Sequence, residues 1–246
     1  MKRTVALLMV LVLSLAMLVG CAPKEEEQNE VAKGPYEDKT AVFVGDSITA
    51  GRGLEDESNK YWLKVADALK FSSVQGFGIS GSCVSTASTR GTQYSPLTTR
   101  LDTIPEADLI FILMGINDFC CDTPLGTPDS KEDTSFYGGW SVTLTYLKEK
   151  YPDSKIILIT PIQCHMLSQN KLGMTQWDYV QIVKDVGRRH EVAVIDLCTL
   201  TLNDFTAKNR FDNMPDAIHP NDVGHELMAN AIQTWLEENV DLVFPK

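Results

Sequence analysis

Asp108-Leu109-Ile110-Phe111-Ile112-Leu113-Met114 is apolar at every position after the first. A strand with one wet face alternates polar and apolar residues. An unbroken apolar run of this length is buried on both faces, as in a parallel sheet covered by helices on each side. Working outward, Thr40-Ala41-Val42-Phe43-Val44 and residues 74–77 precede it as strand candidates, and residues 155–160 and 192–196 follow. Between them lie segments with helical periodicity: 61–69, 136–150, which stops at Tyr151-Pro152, 174–190 and, last, 222–239; residues 96–103 are a shorter helix candidate. Strands alternating with helices five times over predict an α/β chain, a doubly wound three-layer α/β/α sandwich on a five-stranded parallel sheet.

The 246 residues are 43% hydrophobic and 22% charged, which suits one globular domain with extra segments. A formal net charge of −11 opposes nucleic acid and anionic membrane surfaces as partners. Lys2 and Arg3 stand before an apolar run over 5–18, the length of a signal-peptide core and short for a membrane span. The run ends in Leu18-Val19-Gly20-Cys21, which resembles the bacterial lipobox, whose cysteine is lipidated. The expected organisation is a signal peptide over 1–20, a lipidated Cys21 with an acidic tether over 21–38, and a folded domain over 39–246, exported and held to a bacterial membrane by its lipid alone. With Cys21 assigned, Cys83, Cys120, Cys121, Cys164 and Cys198 remain, an odd number without Cys-x-x-Cys spacing. An exported chain could bridge Cys120 or Cys121 to Cys164, although small buried thiols are the simpler expectation for most of them.

The chemistry gathers where strands end. Gly45-Asp46-Ser47-Ile48-Thr49 follows the first strand, Gly78-Ile79-Ser80-Gly81-Ser82 the second, and Gly115-Ile116-Asn117-Asp118 the third. In open α/β sheets ligands bind outside the carboxyl ends of the strands, which places Ser47 to meet one. A serine hydroxyl needs a base, itself oriented by a third group. Of four histidines, His190 ends a helix beside Arg188 and Arg189, His225 lies inside the last helix, and His165 has no carboxylate nearby in sequence. His219 sits in Asp216-Ala217-Ile218-His219-Pro220, where a turn can set the carboxylate of Asp216 against the imidazole. Oxyanion donors are available in the Ser47 N–H, the Gly81 N–H and the Asn117 amide. Each block alone also reads as an ordinary turn.

The four blocks in this order resemble the SGNH, or GDSL-type, hydrolase family, over roughly residues 40–236. The resemblance implies a flavodoxin-like sandwich and a serine esterase that needs no metal or cofactor, with Ser47, Asp216 and His219 catalytic and Ser47, Gly81 and Asn117 forming the oxyanion hole. Two residues depart from the common pattern: Gly76, where many members have asparagine, and Ile116, where threonine is common. The segments after the strand ends, 82–94, 122–135, 163–171 and 201–210, read as mostly polar. Polar walls suit an acylated carbohydrate carrying acetyl-like groups. A lipid or lysophospholipid esterase is the alternative, and a glycan-binding lipoprotein without activity a third expectation.

Overall fold

The computed structural model describes residues 33–245. The expected signal peptide, Cys21 and most of the acidic tether lie outside them. Tyr36, in the last part of the segment expected as tether, is buried, donates its hydroxyl to the Leu236 carbonyl at 2.8 Å and packs against Phe71 and Phe244. It belongs with the folded part.

Five strands, β1 (Thr40–Gly45), β2 (Ser73–Gly78), β3 (Leu109–Leu113), β4 (Lys155–Ile159) and β5 (Ala193–Ile195), form one parallel sheet in the order β2-β1-β3-β4-β5. The fold is the flavodoxin-like α/β/α sandwich expected. All five residues of β3 are buried, as an unbroken apolar run at the centre of a covered sheet must be. The edge strand β2 is half open to solvent, which explains its weak sequence signal. The helices that bear on the site are α1 (Ser47–Ala50), α2 (Tyr61–Leu69), α3 (Ile116–Cys120), α4 (Phe136–Lys150), α5 (Gln176–Arg189) and α6 (Asp222–Glu238); single-turn helices also occur at Leu197–Leu200, Arg210–Asn213 and, after α6, Val240–Val243. α2 packs on α6, and α4 on α5.

The helix starts have chemical causes. Ser135 caps α4 by accepting from Gly138 N–H, Thr175 and Asp178 close a capping box on α5, and Asn221 caps α6 through Gly224 N–H. The candidate helix over 96–103 is instead two 3₁₀ turns, Leu97–Thr99 and Leu101–Thr103. They break at Arg100, whose buried guanidinium donates to the carbonyls of Gly45 (2.9 Å), Phe77 (3.1 Å) and Ser95 (3.2 Å). One cation thus ties the ends of β1 and β2 to the following loop.

Strand order reverses between β1 and β3, because the chain leaves β1 toward β2 and then returns past it to β3. The carboxyl ends of those two strands flank the crevice where such sheets bind ligands. Ser47 follows one and Asn117 the other.

Candidate active site

β1 ends at Gly45, and Asp46 turns the chain by accepting Ile48 N–H at 2.9 Å, so Ser47 becomes the first residue of α1. The N–H at that position has no partner within a helix and stays available to a ligand. A Cβ on Gly78 would lie 2.2 Å from the Ala50 backbone nitrogen, so only glycine lets β2 run this close to α1. From α2, Trp62 Nε1 donates to the Thr49 carbonyl and the Tyr61 hydroxyl meets Thr49 Oγ1, both at 2.9 Å, which fixes α1 from below. Trp62 also occupies the space beside Gly76, where a Cβ would come within 2.5 Å of its ring. That accounts for the departure from asparagine there.

His219 reaches the serine from the other end of the sequence. Its Nε2 lies 2.9 Å from Ser47 Oγ and its Nδ1 2.6 Å from Asp216 Oδ2. An ionised carboxylate only accepts, so Nδ1 carries the proton and Nε2 is left to accept from the serine hydroxyl. Asp216 Oδ1 also accepts the backbone N–H of His219 (2.7 Å) and Ile218 (3.1 Å), locking the turn to the imidazole it orients. Partial burial works against the charged form of Asp216, but the hydrogen bonds from His219 and Ile218 outweigh it and hold the carboxyl below its ordinary range. The loop after β4 steadies the same turn, as His165 N–H donates to the Ala217 carbonyl at 2.9 Å.

Gly81 has φ +81°, a conformation that favours glycine, and a Cβ there would come within 2.9 Å of Arg90 Nη1. Asn117 Nδ2 donates to the Ser82 carbonyl (3.1 Å) and to Asp46 Oδ2 (3.3 Å). Arg90 Nη1 joins these two blocks, donating to the Gly81 carbonyl at 3.0 Å and to Asn117 Oδ1 at 3.4 Å. Ser47, Gly81, Asn117, Asp216 and His219 therefore line one pocket of about 380 Å³, together with Arg52, Arg90, Tyr94, Met166 and Ile218. None of those last five is a site candidate by its own sequence signal, although Arg90, Tyr94 and Met166 fall in the wall segments 82–94 and 163–171 and Ile218 in the 216–219 turn. Arg90 and Tyr94 come from the Ser/Thr-rich stretch after β2, where nothing in the local pattern sets them apart.

The other histidines stand elsewhere. His165 Nε2 binds the Phe205 carbonyl at 2.6 Å, and His225 is buried with its Nδ1 accepting Tyr61 N–H at 3.1 Å. His190 ends α5. Beside the serine pocket runs a second groove of about 390 Å³ whose walls include Leu167, Trp177 and Leu202, each more than 40% exposed. Polar walls hold for much of the serine pocket, whereas this neighbour sets those three apolar side chains among Gln163, His165, Ser168, Thr175, Gln176 and Arg210.

Two buried carboxyls sit under the site. Burial pushes both Asp46 and Asp118 up from 3.8 to about 7, against the hydrogen bonds each accepts. Between about pH 4 and 7 the native chain keeps protons that the unfolded chain has released, so these groups make stability fall as pH rises through that window. Burial draws His225 down from 6.5 to about 4, and lowers His190, which acts in the opposite sense. The two carboxyls are displaced further, and the melting temperature should rise as pH is lowered from 7 to 5.5, below the range in which Cys121, drawn down to about 7, acts against them. Calorimetry across that range checks it, and a melting temperature that falls instead refutes the assignment.

The sequence pattern of the GDSL-like lipase/acylhydrolase family matches residues 43–227. No curated protein matches the chain. Among solved structures, a protein from Lactobacillus plantarum is similar at 26% identity and a TM-score of 0.73, over 82% of this chain and 98% of its own. A possible lipase from Chitinophaga pinensis shares the fold at 21% identity and a TM-score of 0.64, over 81% of this chain and 98% of its own. So does a mutant of an acetyl-xylooligosaccharide esterase from Geobacillus, at 23% identity and a TM-score of 0.57, over 80% and 94%. The family match takes in the strand-end serine, Asn117 and the 216–219 turn in one span, and the chain belongs to the GDSL-like lipase/acylhydrolase family.

Proposed function

We propose that the protein is a serine esterase that removes short acyl groups, acetyl or similar, from carbohydrate at the cell surface. The observation that carries this is the unbroken series from Ser47 Oγ through His219 to Asp216, at 2.9 and 2.6 Å. Ser47 attacks the ester carbonyl while His219 Nε2 takes its proton, and Asp216 stabilises the imidazolium that forms. Negative charge on the carbonyl oxygen falls to the Ser47 and Gly81 N–H groups and to Asn117. His219 then returns the proton to the leaving alcohol, and water releases the acyl group by the reverse steps. Export and lipidation of Cys21 belong to this proposal. Metabolic labelling with an alkyne fatty acid tests them: wild-type chain should take label, Cys21→Ser should not, and unlabelled wild type ends the anchor.

Arg52, Ser80 and Arg90 around the serine favour a polar alcohol, and Tyr94, Met166 and Ile218 are the apolar residues of that pocket against which an acyl chain could bury, each CH₂ contributing about 0.8 kcal/mol. Leu167, Trp177 and Leu202 in the neighbouring groove favour the second reading, a lipid esterase. An acyl-chain series of aryl esters, run with release of acetate from acetylated oligosaccharides, separates the two. The first reading expects rates falling beyond short chains, with acetate released. Rates climbing steadily to long chains with no acetate released reverse the choice.

A further inference from the structure

Arginine charge gathers around the serine pocket with no carboxylate to meet it. Arg52 and Arg90 line that pocket and Arg210 the groove beside it, and among the described residues none of the three is ion-paired. Arg90 gives its donors to neutral oxygens, the Gly81 carbonyl and Asn117 Oδ1. Among the residues that line either cavity, Asp216 alone carries a carboxylate, and His219 Nδ1 already holds it at 2.6 Å. The chain as a whole runs the other way, with 33 acidic residues against 22 basic. A concave site lined by one sign of charge gathers ligands of the opposite sign, whatever the net charge around it.

Arg210 is set apart from the other two. Its guanidinium lies over the Phe211 ring, 4.5 Å from the centroid, and its Nε is covered yet has no acceptor. A covered donor left without a partner costs stability, so folding alone does not account for an arginine here. Lys184 is the contrast in the same groove wall: it lies 5.9 Å from the centre of the Trp177 ring, and its ammonium is paired with Asp196. Stacking holds the planar fork in place without using its terminal donors, the state in which a guanidinium can receive a carboxylate or phosphate through two parallel hydrogen bonds. The groove and the serine pocket also share a wall. In the loop after β4, Met166 lines the serine pocket while Gln163, Leu167 and Ser168 line the groove. Half-exposed Trp177 offers a sugar ring an apolar face, and Gln163 and Ser168 offer its hydroxyls an amide and a hydroxyl.

We infer that the groove is a subsite for an acidic sugar: the acylated carbohydrate carries a carboxylate or a phosphate on a residue near the ester, and Arg210 receives it. Calling the bound glycan a substrate rests on the esterase reading; its binding does not. Calorimetry on the full chain compares three ligands that carry no ester: cellotetraose, the same tetrasaccharide oxidised at C6 to carboxylates, and its 6-phosphate. At least one acidic form should bind about 10- to 100-fold more tightly than the neutral one, the gain expected of hydrogen bonds to a charged group, and the tighter of the two identifies the anion. Added salt should shrink the advantage. In Arg210→Gln the advantage should vanish, whereas Arg210→Lys, which keeps the charge without the fork, should keep part of it. Melting curves check that both variants fold, and if either does not, the wild-type comparison of the three ligands still decides. Equal binding of neutral and acidic ligands, no binding of any of them, or an advantage that survives Arg210→Gln overturns the inference. So does an Arg210→Gln chain that loses affinity for neutral and acidic ligands alike, since Arg210 would then only prop the groove. Failure of the esterase reading shows separately, as wild-type chain that binds the acidic ligand and cleaves no aryl acetate.

Discussion

Ser47→Ala should lower kcat for a short aryl ester by about 10⁴- to 10⁶-fold, the range seen when a triad serine is removed and only binding and the oxyanion hole remain. Folding should be unaffected, because the change deletes one oxygen whose only side-chain bond is to His219 at 2.9 Å. His219→Ala should fall into the same range, and the double variant should be no slower than either single one. Non-additivity is the informative part: a serine without its base and a base without its serine both fail at the same step. Steady-state kinetics on the three variants, with melting curves to exclude unfolding, decide the matter. Substantial activity in Ser47→Ala would end the serine-esterase proposal, and losses that multiply in the double variant would mean that the two groups act in separate steps.

Much of the architecture was legible because burial leaves a mark on local sequence. β3 is apolar at every position and fully buried, and α4 runs over the expected residues 136–150 with its cap at Ser135. Features set by distant contacts left no such mark. β2 is an edge strand whose half-open faces blur its pattern, and the segment over 96–103 breaks because Arg100 reaches three carbonyls that no local rule associates with it. The site follows the same division. Ser47, Gly81, Asn117 and the 216–219 turn stand in recognisable blocks at strand ends, whereas Arg90 acquires its place only through contact with Gly81 and Asn117. Leu167 and Leu202 likewise lie in stretches of polar composition, yet line one groove.

Asn117→Ala should reduce kcat by about 10²- to 10³-fold, the effect of removing one oxyanion donor, and change KM little. In the absence of substrate the amide is not idle. Its N–H groups face the Ser82 carbonyl at 3.1 Å and the Asp46 carboxyl at 3.3 Å, and its oxygen receives Arg90. Both donor contacts are long for hydrogen bonds of this type, so giving one up to a developing oxyanion costs little. The Asp46 contact is the easier to surrender below about pH 7, where that carboxyl is held neutral by its burial and accepts more weakly. Loss of the side chain also leaves the Ser82 carbonyl short of a partner, so a destabilisation of about 1 kcal/mol should accompany the kinetic change. The two measurements separate the roles. A fall in kcat with KM held and a small drop in melting temperature fits a donor used mainly in the transition state. An unchanged kcat with the same drop in stability would mean that Asn117 only props the Ser82 loop, and would leave the oxyanion to the backbone of Ser47 and Gly81.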